Sequence, residues 1–311
     1  MHPNSIRLRH LRTFVAVARE GSVVRAAQSL VVTQPAVSKS IKELEQIVGT
    51  ELLDRSRRGG FLTPEGTMFL RHAEASLAAL RRGLEEVEDA AAASVAPVRV
   101  GALPTVSARL LPLAIQRYRA HALGATPRIV TGPTGHLMTQ LRQGDLDIVI
   151  GRMGEAEEMT GLLFEHLYSE PIVFAARRGH PLEGSSAPGS ELGRFECLLP
   201  PPGSVIRPTV DRLFLAANLP RPASIVETVS LAFGRAYIRE TDAIWIISEG
   251  VVLEDLRTGL LTRIAIPTRD TQGPVGVSTR AGIAPSLAAE TLLVELRRVA
   301  SEIRAEESVL R

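Results

Sequence analysis

The apolar residues of the first 50 positions recur three or four residues apart in three consecutive stretches, which predicts three short helices. The first stretch contains Leu8, Leu11, Phe14, Val15 and Ala18. The second contains Val23, Ala26, Ala27 and Leu30, and the third contains Val37, Ile41, Leu44 and Val48. Each helix has one face to bury, so the three faces together predict a small helical core.

The second and third helices carry signals for where they start and stop. Ser22 and Thr33 are the predicted N-caps. Pro35 falls in the first turn of the third helix, where its missing N–H is not needed, and Gly49 ends that helix. Two short helices joined by a tight turn are therefore expected over residues 22–48.

The third helix has a short polar face that suits a DNA major groove. Amide and hydroxyl groups can contact base edges there, and ammonium groups can contact phosphates. An ordinary amphipathic helix pair in an all-helical core is the alternative. The candidate DNA-binding residues of this region are Ser22, Arg25, Thr33, Gln34, Pro35, Ser38, Lys39 and Lys42.

A basic hairpin is predicted directly after these helices. Leu52 and Leu53 are expected to face the core, and Phe61 and Leu62 return the chain. The tip carries Arg55, Arg57 and Arg58 beside two glycines, so it could contact phosphates or the minor groove; a solvated surface hairpin is the alternative. Together with the helices it completes the predicted N-terminal module, residues 1–63.

A long helix is predicted over residues 64–94. Thr63, Pro64 and Glu65 form a helix start. The apolar stripe that follows contains Phe69, Ala73, Leu77, Leu80, Leu84 and Val87. We expect that this helix has no domain of its own to pack into and pairs with a second copy, which predicts a dimer. Residues 90–97 are expected to form a hinge.

From residue 95 onward the pattern alternates between strands and helices. The apolar run 146–151 is typical of a buried strand in a parallel sheet. Further strands are predicted at 98–101, 128–131, 162–167, 172–176, 197–199, 225–227, 243–247 and 274–279. Helices are predicted at 110–120, 136–143, 209–217, 230–239 and 285–304, and 179–193 is expected to be a surface loop. The expected fold class is thus α + α/β.

Charge and composition narrow the function classes. Residues 1–60 hold ten Lys and Arg against five acids, a formal charge of +5, which leaves −3 on the remainder of a chain whose total is +2. A basic N-terminal module is the footprint of nucleic-acid binding. The single cysteine, Cys197, excludes an internal disulfide and is expected to be buried. No run approaches a membrane span or a signal peptide, so a cytoplasmic location is expected.

The N-terminal residues closely resemble the DNA-binding module of LysR-type transcriptional regulators. The elements that carry the resemblance are A-A-x-x-L, T-Q-P-A-V-S-x-x-I-x-x-L-E and L-L-x-R…L-T-x-x-G, in this order. The family implies a winged helix-turn-helix, a dimerising linker helix and a two-lobed effector domain like periplasmic binding proteins. The first lobe is expected at 95–167 and 268–311 and the second at 168–267.

A narrower resemblance lies in the C-terminal part. The segments TGPTGHLMTQLRQGDLDIVIGRMG, PPGSVIRPTVDRL and VETVSLAFGRAYIRETDAIWIISEGVV are similar to the subgroup that regulates protocatechuate catabolism and a galactose-binding protein. It implies an anionic metabolite of aromatic catabolism as effector. A role as activator is expected, with repression as the alternative. Regulation of sugar uptake or other metabolism is the alternative.

The effector is expected at loops that follow strands, where helix N-termini and hydroxyl groups can hold a carboxylate. The candidates are Thr105, Ser107, Thr131, Thr134, His136, Arg152, Gly203, Ser204, Arg207 and Thr228. Each has an alternative. The hydroxyl residues can be N-caps, His136 can be a surface residue, and Arg207 can pair with Asp211 one helical turn on.

An enzyme and a solute-binding transport protein are the two alternative functions. An enzyme is not expected, because the chain lacks G-x-S-x-G, H-E-x-x-H, Walker A and G-x-G-x-x-G motifs, and its histidines are scattered. A solute-binding transport protein would not need the basic N-terminal module. The expected partners are promoter DNA, a small-molecule effector, further copies of the chain in a dimer of dimers, and RNA polymerase, with no membrane, cofactor or metal.

Overall fold

A computed structural model describes residues 5–54, 61–91, 97–121 and 124–309 of the 311-residue chain. The chain divides into two compact units, residues 1–94 with 142–145 and residues 95–141 with 146–311. The first unit is mainly helical, and the second contains two five-stranded sheets covered by helices. The predicted fold class, α + α/β, is confirmed.

The N-terminal unit has three short helices, a two-stranded hairpin and a long helix. Their bounds are α1 Leu8–Glu20, α2 Val23–Ser29, α3 Gln34–Val48, β1 Leu53–Asp54, β2 Phe61–Leu62 and α4 Pro64–Ala91. The hairpin strands pair antiparallel. Phe14, Val37 and Leu44 are buried in one core, as their helical spacing predicts. The predicted wing tip, with Arg55, Arg57 and Arg58, lies outside the described residues.

The helix ends follow the sequence signals with one exception. The Ser22 hydroxyl accepts a hydrogen bond from the Arg25 N–H at 3.4 Å and so caps α2. Thr33 occupies the N-cap position of α3, but its hydroxyl accepts no capping bond, which differs from the prediction. Gly49 ends α3 in the left-handed region at φ 83°, a conformation that glycine adopts without steric penalty.

The long helix α4 is only partly exposed. Its first half packs against α1, where the rings of Phe14 and Phe69 meet edge-on with centroids 5.5 Å apart and Ala73 is buried. The expectation that α4 has no domain of its own to pack into is therefore wrong for this half. In the second half, Leu84 and Val87 are 59% and 68% exposed.

The first sheet of the C-terminal unit has the strand order β4-β3-β5-β12-β6. The strand bounds are β3 Val98–Ala102, β4 Pro127–Thr131, β5 Ile148–Arg152, β6 Leu162–Glu170 and β12 Gly273–Arg280. Strands β3, β4 and β5 are parallel, and β12 runs antiparallel to both β5 and β6. Because parallel strands end at the same edge, the loops after β3, β4 and β5 lie together.

The second sheet has the strand order β11-β7-β10-β8-β9. The strand bounds are β7 Ile172–Arg177, β8 Glu196–Leu199, β9 Ser224–Glu227, β10 Ile244–Ser248 and β11 Leu261–Arg263. Strand β8 is parallel to β9 and β10, whereas β7 is antiparallel to β10 and β11. Each sheet therefore combines a parallel part with antiparallel strands.

Eight helices of the described chain cover these sheets. They are α5 Pro104–Ser107, α6 Leu110–Ala120, α7 Thr134–Gln143, α8 Pro188–Glu191, α9 Arg207–Ala216, α10 Leu231–Glu240, α11 Glu249–Arg257 and α12 Leu287–Val309. Each sheet has its own apolar core, with Trp245 and Phe174 in the second and Tyr168 and Leu292 in the first. The two sheets are thus the centres of two lobes.

The chain passes from one lobe to the other twice. It leaves the first sheet after Glu170 and enters the second at Ile172, and it returns after Arg263 through a 3-10 turn at Arg269–Thr271 to Gly273. Strand β6 continues through the predicted lobe boundary after residue 167. The Thr271 hydroxyl accepts from the Ile172 N–H at 2.8 Å, so the two crossing segments are bonded to each other.

Most predicted elements are present, and the differences are short ones. The sequence analysis missed helices α5 and α11 and strand β11, and the predicted loop 179–193 contains α8 and a 3-10 turn. Cys197 is buried in the second core, where burial raises the pKa of its thiol to about 12, as expected of a structural thiol. None of the described helices is long and apolar enough to cross a membrane.

Candidate DNA-reading helix and effector cleft

Helix α3 separates its side chains into a buried and an exposed face. Val37, Ile41 and Leu44 are buried in the N-terminal core. The predicted reading residues all lie on the other side and are exposed: Thr33, Gln34, Pro35, Ser38, Lys39 and Lys42. No side chain of the described N-terminal unit covers this face, and both of its lysines carry their charge into solvent.

The remaining predicted DNA contacts lie on α2. Arg25 is exposed, and its guanidinium pairs with the Glu20 carboxylate at 3.7 Å and donates to the Glu20 carbonyl oxygen. Ser22 caps the same helix and is partly buried. Arg25 is therefore held beside the end of α1, whereas Ser22 has a structural role whether or not it contacts DNA.

Two carboxylates of α3 have partners within the N-terminal unit. Glu43 pairs with the Arg9 guanidinium at 2.9 Å and with His10 Nε2 at 3.2 Å. The hydrogen bond from His10, followed by that from Arg9, lowers the pKa of Glu43, so its charge is balanced by α1. This pairing removes a negative charge that would otherwise repel phosphate.

Sequence reasoning missed the role of Glu45. This residue is 6% exposed, and its Oε1 atom accepts from the backbone N–H groups of Leu52 at 2.9 Å and Leu53 at 3.2 Å. The bonds fix the first wing strand against the end of the reading helix. An acid on the otherwise apolar face of a helix, one position after Leu44, is the signal that could have revealed it.

A cavity of about 170 Å³ lies between the two lobes of the C-terminal unit. Its walls are mainly apolar and come from the ends of β3, β4, β5, β8, β9 and β10 and the loops after them. The lining residues from the first lobe are Leu103, Pro104, Thr105, Gly132, Pro133, Thr134 and Arg152. Those from the second lobe are Pro201, Pro202, Gly203, Ser204, Val205, Ile206, Val229 and Ile247.

Arg152 is the charged residue in this lining. It is 4% exposed, and its guanidinium donates to the carbonyl oxygens of Glu170 and, at 3.2 Å, Thr271. Its Nε atom is buried and has no hydrogen-bond partner among the described residues. Arg152 therefore ties both crossing segments together and still has an unused donor.

Ser204 supplies a second unused polar atom from the opposite lobe. Its hydroxyl is buried and has no hydrogen-bond partner among the described residues. Buried polar atoms of folded proteins nearly always have partners, because an unpaired donor costs about 1–3 kcal/mol. Arg152 Nε and Ser204 Oγ are two such atoms, on residues that line the cavity from opposite lobes.

The cavity brings together half of the predicted effector residues. Thr105, Thr134, Arg152, Gly203 and Ser204 line it. Five others lie outside the lining: Ser107, Thr131, His136, Arg207 and Thr228. Thr131 and His136 are exposed. The Ser107 hydroxyl donates to the Leu103 carbonyl oxygen, which satisfies it inside α5.

Arg207 and Thr228 are also engaged elsewhere. The Arg207 guanidinium pairs with Asp211 at 2.8 Å and Glu227 at 2.7 Å, the first being the alternative already considered from the sequence. The Thr228 hydroxyl accepts from the Ser230 N–H at 3.0 Å in the turn before α10. The apolar wall is not evident from the sequence, because Pro and Val residues in separate loops give no indication that they come together in the folded protein.

Two family models match the chain. Residues 8–67 match the bacterial regulatory helix-turn-helix protein of the lysR family, and residues 92–301 match the LysR substrate binding domain. The second match alone covers more than half of the chain. The chain belongs to the LysR family.

Relatives of this LysR-family chain agree with the narrower resemblance. It is 47% identical over 302 residues to the HTH-type transcriptional regulator PcaQ of Agrobacterium fabrum, covering 96% of each chain. It is 29% identical over 294 residues to the regulator GbpR of Azospirillum brasilense, covering 94% of this chain and 86% of that one. The predicted subgroup is thereby confirmed, and relatives named as regulators agree with the expectation that the chain is not an enzyme.

A solved LysR-type structure has the same fold. Full-length LysG from Corynebacterium glutamicum, with bound effector Arg, superposes with a TM-score of 0.60 at 17% identity, covering 96% of this chain and 99% of that one. The two family models and the relative at 47% identity show the role: the chain is a LysR-type DNA-binding transcriptional regulator with an effector-binding domain.

Proposed function

We propose that the effector of this regulator is a single-ring aromatic carboxylate that binds in the cavity between the lobes. The size of the cavity supports this. Its volume of about 170 Å³ is similar to that of an engineered cavity of about 150 Å³ that binds benzene. The lining gives proline and aliphatic side chains to the faces of a ring and few polar atoms to its rim.

The observation that carries the proposal is the pair of unused polar atoms in an apolar wall. Arg152 Nε and Ser204 Oγ come from opposite lobes and have no partners among the described residues. A carboxylate can accept from both, and an anion is favoured next to a buried guanidinium. The resemblance to regulators of protocatechuate catabolism supports the same ligand class.

A sugar fits this lining less well. A sugar carries several hydroxyl groups, each of which needs a partner when it is buried. The side chains of the lining that can form hydrogen bonds are Thr105, Thr134, Arg152 and Ser204. The alternative of a regulator of sugar uptake, supported by the similarity to GbpR, is therefore the weaker one for this cavity. A solute-binding role leaves the helix-turn-helix without a purpose.

The proposal is tested by calorimetric titration of the full-length protein with protocatechuate, its carboxamide and galactose. We expect protocatechuate to bind, and the uncharged carboxamide to bind at least tenfold more weakly. Removing the Ser204 hydroxyl in Ser204→Ala should weaken protocatechuate binding by about 1 kcal/mol, roughly fivefold. The matched control is Ser107→Ala, which lies outside the cavity lining and should bind as the wild type does. Equal affinity for acid and amide would contradict the proposal.

For the DNA end we propose that Gln34 and Ser38 contact base edges and that Lys39, Lys42 and Arg25 contact phosphates. The exposure of the polar face of α3 supports this assignment. The wing arginines Arg55, Arg57 and Arg58 are proposed to add sequence-independent phosphate contacts. Ser22 caps the start of α2, and Thr33 and Pro35 lie at the start of α3, the end that is proposed to meet the groove.

We also propose that the chain forms a dimer through α4 and then a dimer of dimers. The exposed apolar side chains Leu80, Leu84 and Val87 lie on the second half of that helix. A stripe of this kind on a helix is ordinarily covered by another helix. Paired reading modules would then bind paired DNA half-sites.

Effector control is proposed to act by a shift between two arrangements of the lobes. A ligand that contacts both lobes stabilises the closed arrangement in proportion to its extra contacts there. The change in subunit packing would then alter how the paired modules engage the promoter. Activation of transcription through contact with RNA polymerase is proposed on the family resemblance.

A further inference from the structure

A buried carboxylate lies where the chain first crosses between the lobes. Glu170 is the last residue of β6, and it is 2% exposed. Its Oε2 atom accepts from the Gly250 N–H at 3.2 Å, at the start of α11 in the second lobe. The fit is close, because a Cβ atom added at Gly250 would lie 2.5 Å from Oε2. Glu170 thus connects the crossing segment of the first lobe to a helix of the second.

The same carboxylate is the counter-charge of the cavity arginine. The guanidinium of Arg152 donates to the backbone oxygen of Glu170, and the two side-chain charges attract each other. Burial lowers the pKa of Arg152, and the negative charge of Glu170 opposes this change. While Glu170 is ionised, its negative charge balances the positive charge of Arg152. The pair therefore has almost no net charge, even though Arg152 lines the cavity.

Burial and the neighbouring groups change the pKa of Glu170 in opposite directions. Burial raises the pKa of Glu170 to about 7, whereas the charge of Arg152 and the hydrogen bond from the Gly250 N–H act in the lowering direction. The groups that face Glu170 from each packed element are Arg152 of β5, Ser248 of β10, and Glu249 and the Gly250 N–H of α11. The Oε1 atom has no hydrogen-bond partner among the described residues.

We propose that Glu170 takes up a proton when an anionic effector binds beside Arg152. The inference rests on the proposed function, because it needs a ligand carboxylate in this cavity. The ligand carboxylate then replaces Glu170 as the counter-charge of Arg152. The charge balances: one anion and one proton enter together, and Glu170 becomes a neutral acid.

Protonation of Glu170 links effector binding to the segments where the chain crosses between the lobes. Neutral Glu170 is a weaker acceptor for the Gly250 N–H than the carboxylate is, because charge-assisted hydrogen bonds are about twice as strong. The contact between Glu170 and the start of α11 therefore weakens when the effector is bound. Glu170 in this way connects effector binding to the relative position of the lobes.

The test is calorimetric titration of the full-length protein with protocatechuate at about pH 8, in two buffers of different ionisation enthalpy. The heat difference between the buffers gives the number of protons exchanged. At this pH the free carboxyl is mostly ionised, so we expect uptake approaching one proton per ligand. The affinity should fall by up to about tenfold for each pH unit above 7.

Two variants make the result specific to Glu170. In Glu170→Gln the group cannot titrate, so ligand should still bind and proton uptake should disappear. Glu249→Gln is the matched control, since Glu249 is a neighbouring carboxylate that pairs with Arg263, and uptake should persist in it. A thermal melt of each variant reports whether it is folded, and the wild-type proton count decides the matter if Glu170→Gln is not.

The outcomes separate this inference from the proposal on which it rests. Protocatechuate binding without proton uptake, or uptake that persists in Glu170→Gln, would overturn the role of Glu170 and leave the effector class standing. A protein that does not bind protocatechuate would contradict the proposed effector class and this inference together. Proton uptake that is seen in the wild type and in Glu249→Gln but not in Glu170→Gln supports both the effector class and the role of Glu170.

Discussion

At the scale of single residues, two residues are in unfavourable states: Val31 in its backbone conformation and Glu170 in the burial of its carboxyl group. Val31, in the turn between α2 and α3, has φ 55° and is 90% exposed. A β-branched residue rarely adopts this left-handed conformation, since its side chain clashes with the backbone. Glu170 is a buried carboxylate whose backbone oxygen accepts from Arg152, a residue of the cavity lining. At each of the two positions a better-suited residue would make the folded protein more stable.

Replacing Val31 by asparagine is expected to stabilise the N-terminal unit. Asparagine tolerates the left-handed region, and little apolar burial is lost because Val31 is exposed. We expect a gain of roughly 0.5–1 kcal/mol in the free energy of unfolding, measured by urea denaturation. The control is Val32→Asn, at the next exposed valine, where no positive φ is relieved. An equal gain in both variants would show that strain at Val31 is not the cause.

Glu170 is expected to make the C-terminal unit less stable as the pH rises. Its pKa in the folded protein is raised to about 7, so the folded state binds the proton more tightly than the unfolded state does. The resulting stabilisation is complete below the ordinary Glu pKa of about 4.5 and is lost as the pH rises through about 7, on the order of 3 kcal/mol in total. Thermal melts between pH 5 and 8 without ligand should show this loss, and Glu170→Gln should flatten it. A wild-type profile as flat as that of Glu170→Gln would contradict the assignment.

At the scale of elements, helix α3 was predictable from the sequence, and the hydrogen bonds that join it to the first wing strand were not. The spacing of Val37, Ile41 and Leu44 defined both faces of α3, and the structure exposes the polar residues that the spacing placed outside. The bonds from Glu45 to the wing join positions that are adjacent only after folding. Local periodicity contains no information about such pairs.

The reading face is tested by substitutions on α3. Gln34→Ala should reduce discrimination between a promoter site and its base-substituted versions by about 1–3 kcal/mol, since a base contact is lost. Lys42→Ala should weaken binding to all sequences and lower the salt dependence, since a phosphate contact is lost. Gln46→Ala, exposed near the end of the same helix, should do neither. If Gln34→Ala leaves the sequence preference intact, the assignment of the reading face is wrong.

The cavity between the lobes shows the same division. Thr105, Thr134, Arg152, Gly203 and Ser204 were predicted because each follows a strand, and the structure places them around one cavity. Being near a strand end was not sufficient for Arg207, which has carboxylate partners on its own helix and on β9. The apolar wall and the part played by Glu170 depend on the packing of two lobes, which no single segment encodes.

At the scale of the whole molecule, the exposed end of α4 is the feature that the isolated chain leaves unexplained. Placing a charge in the stripe, as in Leu84→Lys, should disfavour pairing of this helix with a second copy. We expect a smaller assembly by multi-angle light scattering and weaker binding to paired half-sites. Leu163→Lys, at a similarly exposed position of the C-terminal unit, is the control. An unchanged mass for Leu84→Lys would place the interface elsewhere.

The central claim joins both ends of the molecule: a ligand in the cleft changes how the reading helices occupy the promoter. A nuclease footprint of the full-length protein on a promoter duplex, at fixed low salt with and without protocatechuate, tests it most directly. The account predicts protection in both states, with a protected region that changes on ligand addition in the wild type and changes only at higher ligand concentration in Ser204→Ala. An identical footprint with and without saturating ligand, or no protection of any promoter duplex at low salt, would contradict it.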